Sequence, residues 1–161
     1  IELFVTNQKI YDDFYDDYNT GKAFMHSHTY SGNPLACSAA NAVLDLMEDG
    51  TILKKAQENA VYFNNMIKEK FLSHKNVGEV RHVGLINAIE LVEDKKNKKP
   101  FNSRFRIGYQ IYKKALMEGV ILRPLGDVIY FNPPLIMERK DMDFVTDIAR
   151  KCLDEILPTA K

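Results

Sequence analysis

The sequence VILRPLGDVIYF at residues 120–131 contains two short apolar runs on either side of a Gly-Asp pair. β-branched and aromatic residues favour extended strands, and a two-residue turn that contains glycine joins such strands into an antiparallel hairpin. We therefore predict a hairpin with its turn at Gly126 and Asp127. Pro133 and Pro134 cannot donate a ladder hydrogen bond, so they end the second strand.

The rest of the chain alternates between helical and extended patterns. Two further strands are predicted between Val77 and Val92, with a break at Gly84. Asn33 followed by Pro34 predicts a helix start, because Asn caps helices and Pro fits their first turn. The other predicted elements are a strand over residues 1–6, a helix after Thr6 or Asn7, a helix over 52–71, a helix after Asn102 or Ser103 with Phe105, Tyr109, Tyr112, Ala115 and Leu116 facing inward, and a helix from Met142 to Ile156. This order predicts an α+β fold, an antiparallel sheet with helices packed on one side.

Composition and charge exclude several classes of protein. The 45% hydrophobic and 27% charged residues are typical of a globular chain. Lys and Arg number 22, as do Asp and Glu, so the sequence lacks the basic excess of a nucleic-acid-binding protein. No apolar run approaches the roughly 20 residues that span a bilayer, so we expect no membrane partner. Cys37 and Cys152 lie in apolar helical patterns, which predicts buried thiols in a reducing, cytoplasmic environment.

The densest polar cluster is HSHTYSGN at residues 26–33, directly before the helix predicted at Asn33. Its two histidines lack the Cys, Asp or Glu partners of a zinc site, so we assign no metal. No G-x-S-x-G motif indicates a hydrolase. Two interpretations remain. Hydroxyl and backbone N–H groups before a helix can bind an anion such as phosphate, or the segment is a capping loop without a ligand.

Arg123 is the second candidate functional residue. It lies between Leu122 and Pro124 on a short apolar strand, and its planar guanidinium can bind a carboxylate through two hydrogen bonds. Tyr130 lies on the returning strand and can face the same side of the hairpin. The alternative interpretations are an arginine that is simply on the surface or in a salt bridge, and a tyrosine that only packs.

Two motifs resemble a known family. The run HTYSGNPLAC at residues 28–37, followed by an alanine-rich helix, is similar to the conserved loop and helix of class III pyridoxal-phosphate (PLP) aminotransferases. The runs GVILRPLG at 119–126 and IYFNPP at 129–134 resemble the members of this class that act on 8-amino-7-oxononanoate in biotin biosynthesis. The resemblance covers essentially the whole chain.

The resemblance implies roles for five residues. Thr29 matches the threonine that binds the phosphate of PLP in the site of the neighbouring subunit of a homodimer, and His28 lies beside it in the cofactor-binding segment. Arg123 matches the arginine that binds the substrate carboxylate, and Tyr130 matches a tyrosine of the substrate pocket. Ser27 falls near the substrate, at a position where many relatives have glycine.

The resemblance also implies that part of the active site is absent from this chain. The Schiff-base lysine of the class precedes the first predicted strand. Its sequence context is not matched by the residues around Lys9, Lys22, Lys54 or Lys55. We therefore expect a C-terminal fragment that carries no catalytic residue and is inactive by itself. Residues 1–32 are predicted to be a remnant of the large PLP-binding domain, and residues 33–161 the small domain.

The activity that the resemblance implies is amino transfer to 8-amino-7-oxononanoate, which gives 7,8-diaminononanoate. The amino donor is S-adenosylmethionine in most relatives and lysine in some. One alternative is an enzyme of the same class that acts on another ω-amino acid or a diamine. The other is a cofactor-free interaction module with the same fold, which would form a stable monomer with a closed core, whereas a fragment would expose apolar surface.

Overall fold

The structure is a computed structural model in which residues 5–157 are described. They form two compact units that divide between Asp49 and Gly50. The first unit contains α1 (Gln8–Phe14), a 3₁₀ turn (Tyr18–Thr20) and α2 (Pro34–Met47). The second contains α3 (Thr51–Phe71), β1 (Val77–Val83), β2 (Ile86–Leu91), a 3₁₀ turn (Ser103–Phe105), α4 (Ile107–Met117), β3 (Arg123–Leu125), β4 (Val128–Phe131) and α5 (Arg139–Ile156). No helix within residues 5–157 is both long enough and apolar enough to cross a membrane.

Asparagine side chains start both helices of the first unit, as the sequence predicts. The side chain of Asn7 accepts a hydrogen bond from the N–H of Ile10 at 3.1 Å, and α1 follows. The side chain of Asn33 accepts from the N–H of Ala36, also at 3.1 Å, with Pro34 in the first turn of α2. Both caps satisfy N–H groups that a helix leaves without an internal partner.

Other expectations for the first unit have different outcomes. The strand predicted over residues 1–6 lies mostly outside the described residues, and Val5 and Thr6 are not in a strand. No residue of α2 is buried in the described chain, so the expected buried thiol at Cys37 is exposed. The structure groups α2 with the first unit, whereas we placed it in the small domain; that division concerns a whole protein and stays a prediction.

The second unit is built on a four-stranded antiparallel sheet with strand order β1-β2-β4-β3. Side chains alternate between its two faces. On the inner face, Ile89 and Leu91 of β2 and Ile129 and Phe131 of β4 are at most 4% exposed. The predicted hairpin turn is present at Gly126 and Asp127, between β3 and β4.

Three helices cover this inner face. The ring of Phe63 on α3 is completely buried and lies edge-on to Phe131, with ring centres 5.8 Å apart. The other helical residues of this core are Ala56, Ala60, Met66, Ile67 and Phe71 of α3, Ile107, Ile111 and Ala115 of α4, and Met142, Ala149, Cys152 and Leu153 of α5. The prediction of an α+β fold with helices on one side of an antiparallel sheet is confirmed.

The inward face predicted for α4 is largely wrong. The buried residues are Ile107, Gly108, Ile111 and Ala115, and only Ala115 was expected among them. Arg106 adopts a left-handed conformation, with φ of 48°, which separates Phe105 and its 3₁₀ turn from α4, and within α4 the face of Ile107, Ile111 and Ala115 packs inward. Consequently four residues expected inside are exposed or half-buried: Phe105, Tyr109, Tyr112 and Leu116.

The half-buried ring of His74 lies just after the end of α3. Its Nδ1 accepts a hydrogen bond from the N–H of Asn76 at 3.0 Å, and its Nε2 lies 3.4 Å from a carboxylate oxygen of Asp154. The ammonium of Lys95 donates to the carbonyl oxygens of Leu72 and His74, at 2.5 and 3.3 Å. These contacts tie the end of α3 to the β2–α4 connection and to α5.

We expect the stability of the second unit to fall as the pH drops below 6.5. Burial lowers the pKa of His74 from its ordinary value of 6.5. The positive charges of Arg150, Lys75 and Lys95 lower this pKa further, and the negative charge of Asp154 opposes them. Because the unfolded chain then binds the proton more readily, the stability is full above pH 6.5 and is lost as the pH falls toward the folded-state pKa. Urea unfolding between pH 5 and 8 measures this effect. The His74→Gln variant should show a smaller slope, and an unchanged slope would contradict the assignment.

Candidate functional site

Two reverse turns shape the segment of residues 26–33, which we call the Thr29 loop. The N–H of Ser31 donates to the carbonyl oxygen of His28 at 2.9 Å, and the N–H of Asn33 donates to that of Tyr30 at 3.1 Å. The hydroxyl of Ser31 also accepts from the N–H of His28 at 3.4 Å. These bonds fix the backbone on both sides of Thr29 and lead directly into α2.

The Thr29 loop presents donors without nearby acidic groups. The N–H and hydroxyl of Thr29 form no hydrogen bond with any of the described residues, and the side chain is exposed. Residues 18–44 contain no Asp or Glu. A hydroxyl and backbone N–H groups in a segment free of carboxylates fit an anion, and a phosphate group in particular.

Ser27 and His28 lie in the same exposed loop as Thr29. The ring of His28 lies edge-on to that of His26, with centres 4.9 Å apart. Within the described residues, no group of three or more His, Cys, Asp or Glu side chains is arranged to hold a metal ion. The exposed Thr29 loop thus carries His28 and Thr29, which the resemblance assigns to the cofactor, next to Ser27, which it assigns to the substrate.

The β3–β4 hairpin brings Arg123 and Tyr130 together. They are direct partners across the antiparallel pair, and the guanidinium carbon of Arg123 lies 5.4 Å from the centre of the Tyr130 ring. Gly126, with φ of 61°, allows the tight turn that sets this register. Both side chains lie on the sheet face opposite the buried Ile129 and Phe131.

The two arginines on this outer face have different environments. Arg81, Ala88, Tyr130 and Arg123 form one row across all four strands. The guanidinium of Arg81 is paired with the carboxylate of Glu90 at 2.5 Å and with that of Glu79 at 3.3 Å. The hydrogen bond from Arg81 to Glu90 is the main cause that raises the pKa of this arginine.

Arg123, in contrast, forms no ion pair with any residue in the described part of the chain. Its guanidinium is exposed, so its hydrogen-bond donors are available to a group outside this unit. The structure therefore argues against a salt bridge of Arg123 within residues 5–157, and it is compatible both with an unpaired surface arginine and with a carboxylate anchor.

Apolar side chains surround this guanidinium. Arg123 and Tyr130 share a shallow groove with Tyr112, Ile121 and Leu125. Ile121 and Leu125 are 75% and 73% exposed, so the groove offers apolar surface that a bound molecule can cover. A guanidinium beside such surface suits a molecule with a carboxylate at the end of an aliphatic chain.

The sequence analysis did not identify these three lining residues. Ile121 and Leu125 lie two residues on either side of Arg123, so the alternation of a strand could have placed them on its face. Tyr112 comes from α4, and only the tertiary structure shows that it reaches the groove.

Comparison with known proteins identifies the family. The family described as aminotransferase class-III matches residues 1–153. The chain is 38% identical over 152 residues to the adenosylmethionine-8-amino-7-oxononanoate aminotransferase of Geobacter sulfurreducens, covering 94% of this chain and 33% of that protein. It is 33% identical over 145 residues to the putrescine–pyruvate aminotransferase of Pseudomonas aeruginosa, covering 89% of this chain and 31% of that protein.

A solved structure gives the same result. The crystal structure of adenosylmethionine-8-amino-7-oxononanoate aminotransferase from Methanocaldococcus jannaschii superposes with a TM-score of 0.83 at 33% sequence identity. The match covers 94% of this chain and 34% of that one, so the chain spans about a third of the length of the relatives that it matches. The family match extends over far more than half of the sequence. The chain belongs to the class-III aminotransferases.

Proposed function

We propose that this chain is part of a PLP-dependent aminotransferase that converts 8-amino-7-oxononanoate to 7,8-diaminononanoate in biotin biosynthesis. The observation that carries the proposal is the exposed guanidinium of Arg123, which lacks an ion-pair partner among residues 5–157 and adjoins apolar surface. The substrate has a carboxylate at the end of an aliphatic chain, which matches this surface. The names of the relatives from Geobacter and Methanocaldococcus support the same substrate.

For the cofactor, we propose that Thr29 binds the phosphate of PLP through its hydroxyl and N–H groups, in a site shared between two subunits of a homodimer. The free donors of the Thr29 loop and the absence of acidic residues from 18–44 fit a doubly charged phosphate. His28 is proposed to act through the backbone geometry beside Thr29, since its own N–H and carbonyl oxygen are bonded to Ser31. When bound, PLP supplies the electron sink that amino transfer needs.

For the substrate, we propose that Arg123 binds the carboxylate while Tyr130 and the groove around it hold the aliphatic chain. The guanidinium of Arg123 lies over the Tyr130 ring, 5.4 Å from its centre, within the range of a cation–π contact. Ser27 is proposed to lie near the substrate. Binding one end of the substrate fixes the distance from the carboxylate to the reacting carbonyl group.

A second candidate activity is transamination of a diamine. The 33% identity to the putrescine–pyruvate aminotransferase favours it, since that enzyme is named for an amine without a carboxylate. The two candidates differ in what they require of Arg123. The diamine has no carboxylate and its acceptor pyruvate is a short oxo acid, whereas 8-amino-7-oxononanoate carries its carboxylate at the end of an aliphatic chain that the groove around Arg123 would hold.

An assay of the full-length protein with PLP tests the proposal. We expect amino transfer to 8-amino-7-oxononanoate, from S-adenosylmethionine or lysine, with KM at least about 10-fold lower than for the methyl ester, because the ester lacks the charge that Arg123 pairs with. Equal KM values for acid and ester, or faster turnover of putrescine with pyruvate, would contradict it. A full-length protein that does not bind PLP would favour the cofactor-free interaction module. We also expect that residues 1–161 alone do not turn over.

A further inference from the structure

The turn of the Arg123 hairpin is in close contact with the first turn of α4. Gly108, the second residue of that helix, is buried. A Cβ atom built on Gly108 would overlap the carbonyl oxygen of Gly126 and would lie 3.3 Å from the Cβ of Pro124. Real Cβ atoms essentially never come this close to a carbonyl oxygen, so the backbones can meet only because residue 108 has no side chain.

Asp127 holds the same turn from the other side. Its carboxylate is half-buried; burial raises its pKa, and the backbone N–H of Gly108 opposes this rise. The carbonyl oxygen of Asp127 accepts a hydrogen bond from the N–H of Leu91 at 2.9 Å. Residue 127 therefore connects the hairpin turn both to the start of α4 and to the end of β2.

The turn is a short distance along the chain from the proposed anchor. Two residues separate Gly126 from Arg123, and two separate Asp127 from Tyr130. β3 has only three residues and lies at the edge of the sheet, so among residues 5–157 its ladder to β4 is its only strand pairing. A short edge strand is held weakly by its own hydrogen bonds, and contacts at its turn contribute to its position.

We propose that Gly108 and Asp127 form a latch that holds the β3–β4 turn against α4 and so sets the position of the Arg123 guanidinium, which makes them positioning residues for carboxylate recognition. This inference rests on the proposed function, in which Arg123 binds the substrate carboxylate. Neither latch residue contacts the substrate in this proposal. Both act through the hairpin.

The test is a double-mutant cycle between Gly108→Ala and Arg123→Ala in the full-length protein with PLP. In the protein that keeps Arg123, Gly108→Ala should raise the KM for 8-amino-7-oxononanoate by about 10-fold and change kcat little. The reason is that a shift of about 1 Å in a binding group weakens binding. In the Arg123→Ala background the same change should alter KM by less than about 2-fold, since the group that the latch positions is gone.

Two further variants separate positioning from general destabilisation. The three atoms nearest to a Cβ at Gly78 all belong to the side chain of Val92, the closest at 2.9 Å, so Gly78→Ala perturbs the same unit away from the hairpin and should leave KM unchanged. Asp127→Ala removes the latch carboxylate without adding bulk, and should raise KM in the same direction as Gly108→Ala. The Asp127→Ala variant also tests the proposal if the Gly108→Ala protein does not fold.

Each outcome has one meaning. If Arg123→Ala leaves the KM of the oxo acid unchanged, the proposed function fails, and the latch proposal fails with it. If Arg123→Ala raises KM but the latch variants leave it unchanged, or multiply it equally in both backgrounds, the proposed function stands and the latch is overturned. The non-additive result supports the latch.

Discussion

Replacing Arg123 with alanine in the full-length protein should raise the KM for 8-amino-7-oxononanoate by about 10- to 100-fold. A hydrogen bond to a charged group contributes about 1.5–3 kcal/mol, and each factor of ten in affinity corresponds to about 1.4 kcal/mol. The side chain is exposed and lies on the outer face of the sheet, so its removal leaves no cavity in the core. We therefore expect the loss to appear in substrate binding and not in the free energy of unfolding.

The chain offers a matched control for this variant. Arg81 lies in the same row of the same sheet face, but Glu79 and Glu90 already occupy its guanidinium. Arg81→Ala should leave the KM of the oxo acid unchanged and should alter stability by less than about 1 kcal/mol, as is usual for an exposed ion pair. Arg123→Lys should recover part of the lost affinity, because an ammonium keeps the charge but not the planar pair of donors. Equal KM values for the Arg81 and Arg123 variants would exclude a specific anchor.

The partnership of Arg123 with Tyr130 could be predicted because it follows from the turn. In a hairpin with a two-residue turn at Gly126 and Asp127, Leu125 pairs with Val128, and counting outward pairs residue 123 with residue 130. The same local logic predicted both asparagine caps and the extent of α3. Signals of this kind involve residues within one turn or one hairpin of each other, so they can be recognised in the sequence alone.

The phase of α4 and the freedom of Arg123 could not be predicted in this way. Apolar residues recur at helical spacing on more than one face between Phe105 and Leu116, and only the packing of α4 in the folded unit shows which face is buried. The sequence also does not show that Arg123 forms no ion pair within the described residues. This depends on which side chains lie beside Arg123 on the outer face, and therefore on the register of all four strands. The register of β1 and β2 shifts near Gly78, and after this shift Glu79 lies opposite Glu90.

The latch was also invisible in the sequence for a physical reason. Gly108 occurs within an otherwise ordinary helical pattern, where glycine only lowers helix propensity. Its proposed function depends on the carbonyl oxygen of Gly126, which reaches it only after the hairpin has packed on α4. A close backbone approach of this kind leaves no periodic signal in the sequence.

Replacing Thr29 with alanine should weaken the binding of PLP to the full-length protein by about 10-fold or more. The variant loses one hydrogen bond to a charged phosphate, which is worth about 1.5–3 kcal/mol, and keeps the backbone N–H groups of the Thr29 loop. The exposed side chain has no hydrogen-bond partner in the described part of the chain, so its loss should not alter the folding of the loop. Equilibrium titration of the cofactor-free protein with PLP, followed by absorbance, measures the Kd.

Pyridoxal, which lacks the phosphate, separates a phosphate contact from a general change in the site. If Thr29 binds the phosphate, Thr29→Ala leaves the Kd of pyridoxal unchanged, and Thr29→Ser restores most of the affinity for PLP because serine keeps the hydroxyl. Thr20→Ala is a control in the same unit, since the hydroxyl of Thr20 already donates to the carbonyl oxygen of Asp17 at 2.8 Å. Equal weakening of the binding of PLP and pyridoxal would show that Thr29 supports the shape of the loop and does not contact the phosphate. That outcome would remove the cofactor role from Thr29 and would not affect the proposed carboxylate anchor at Arg123.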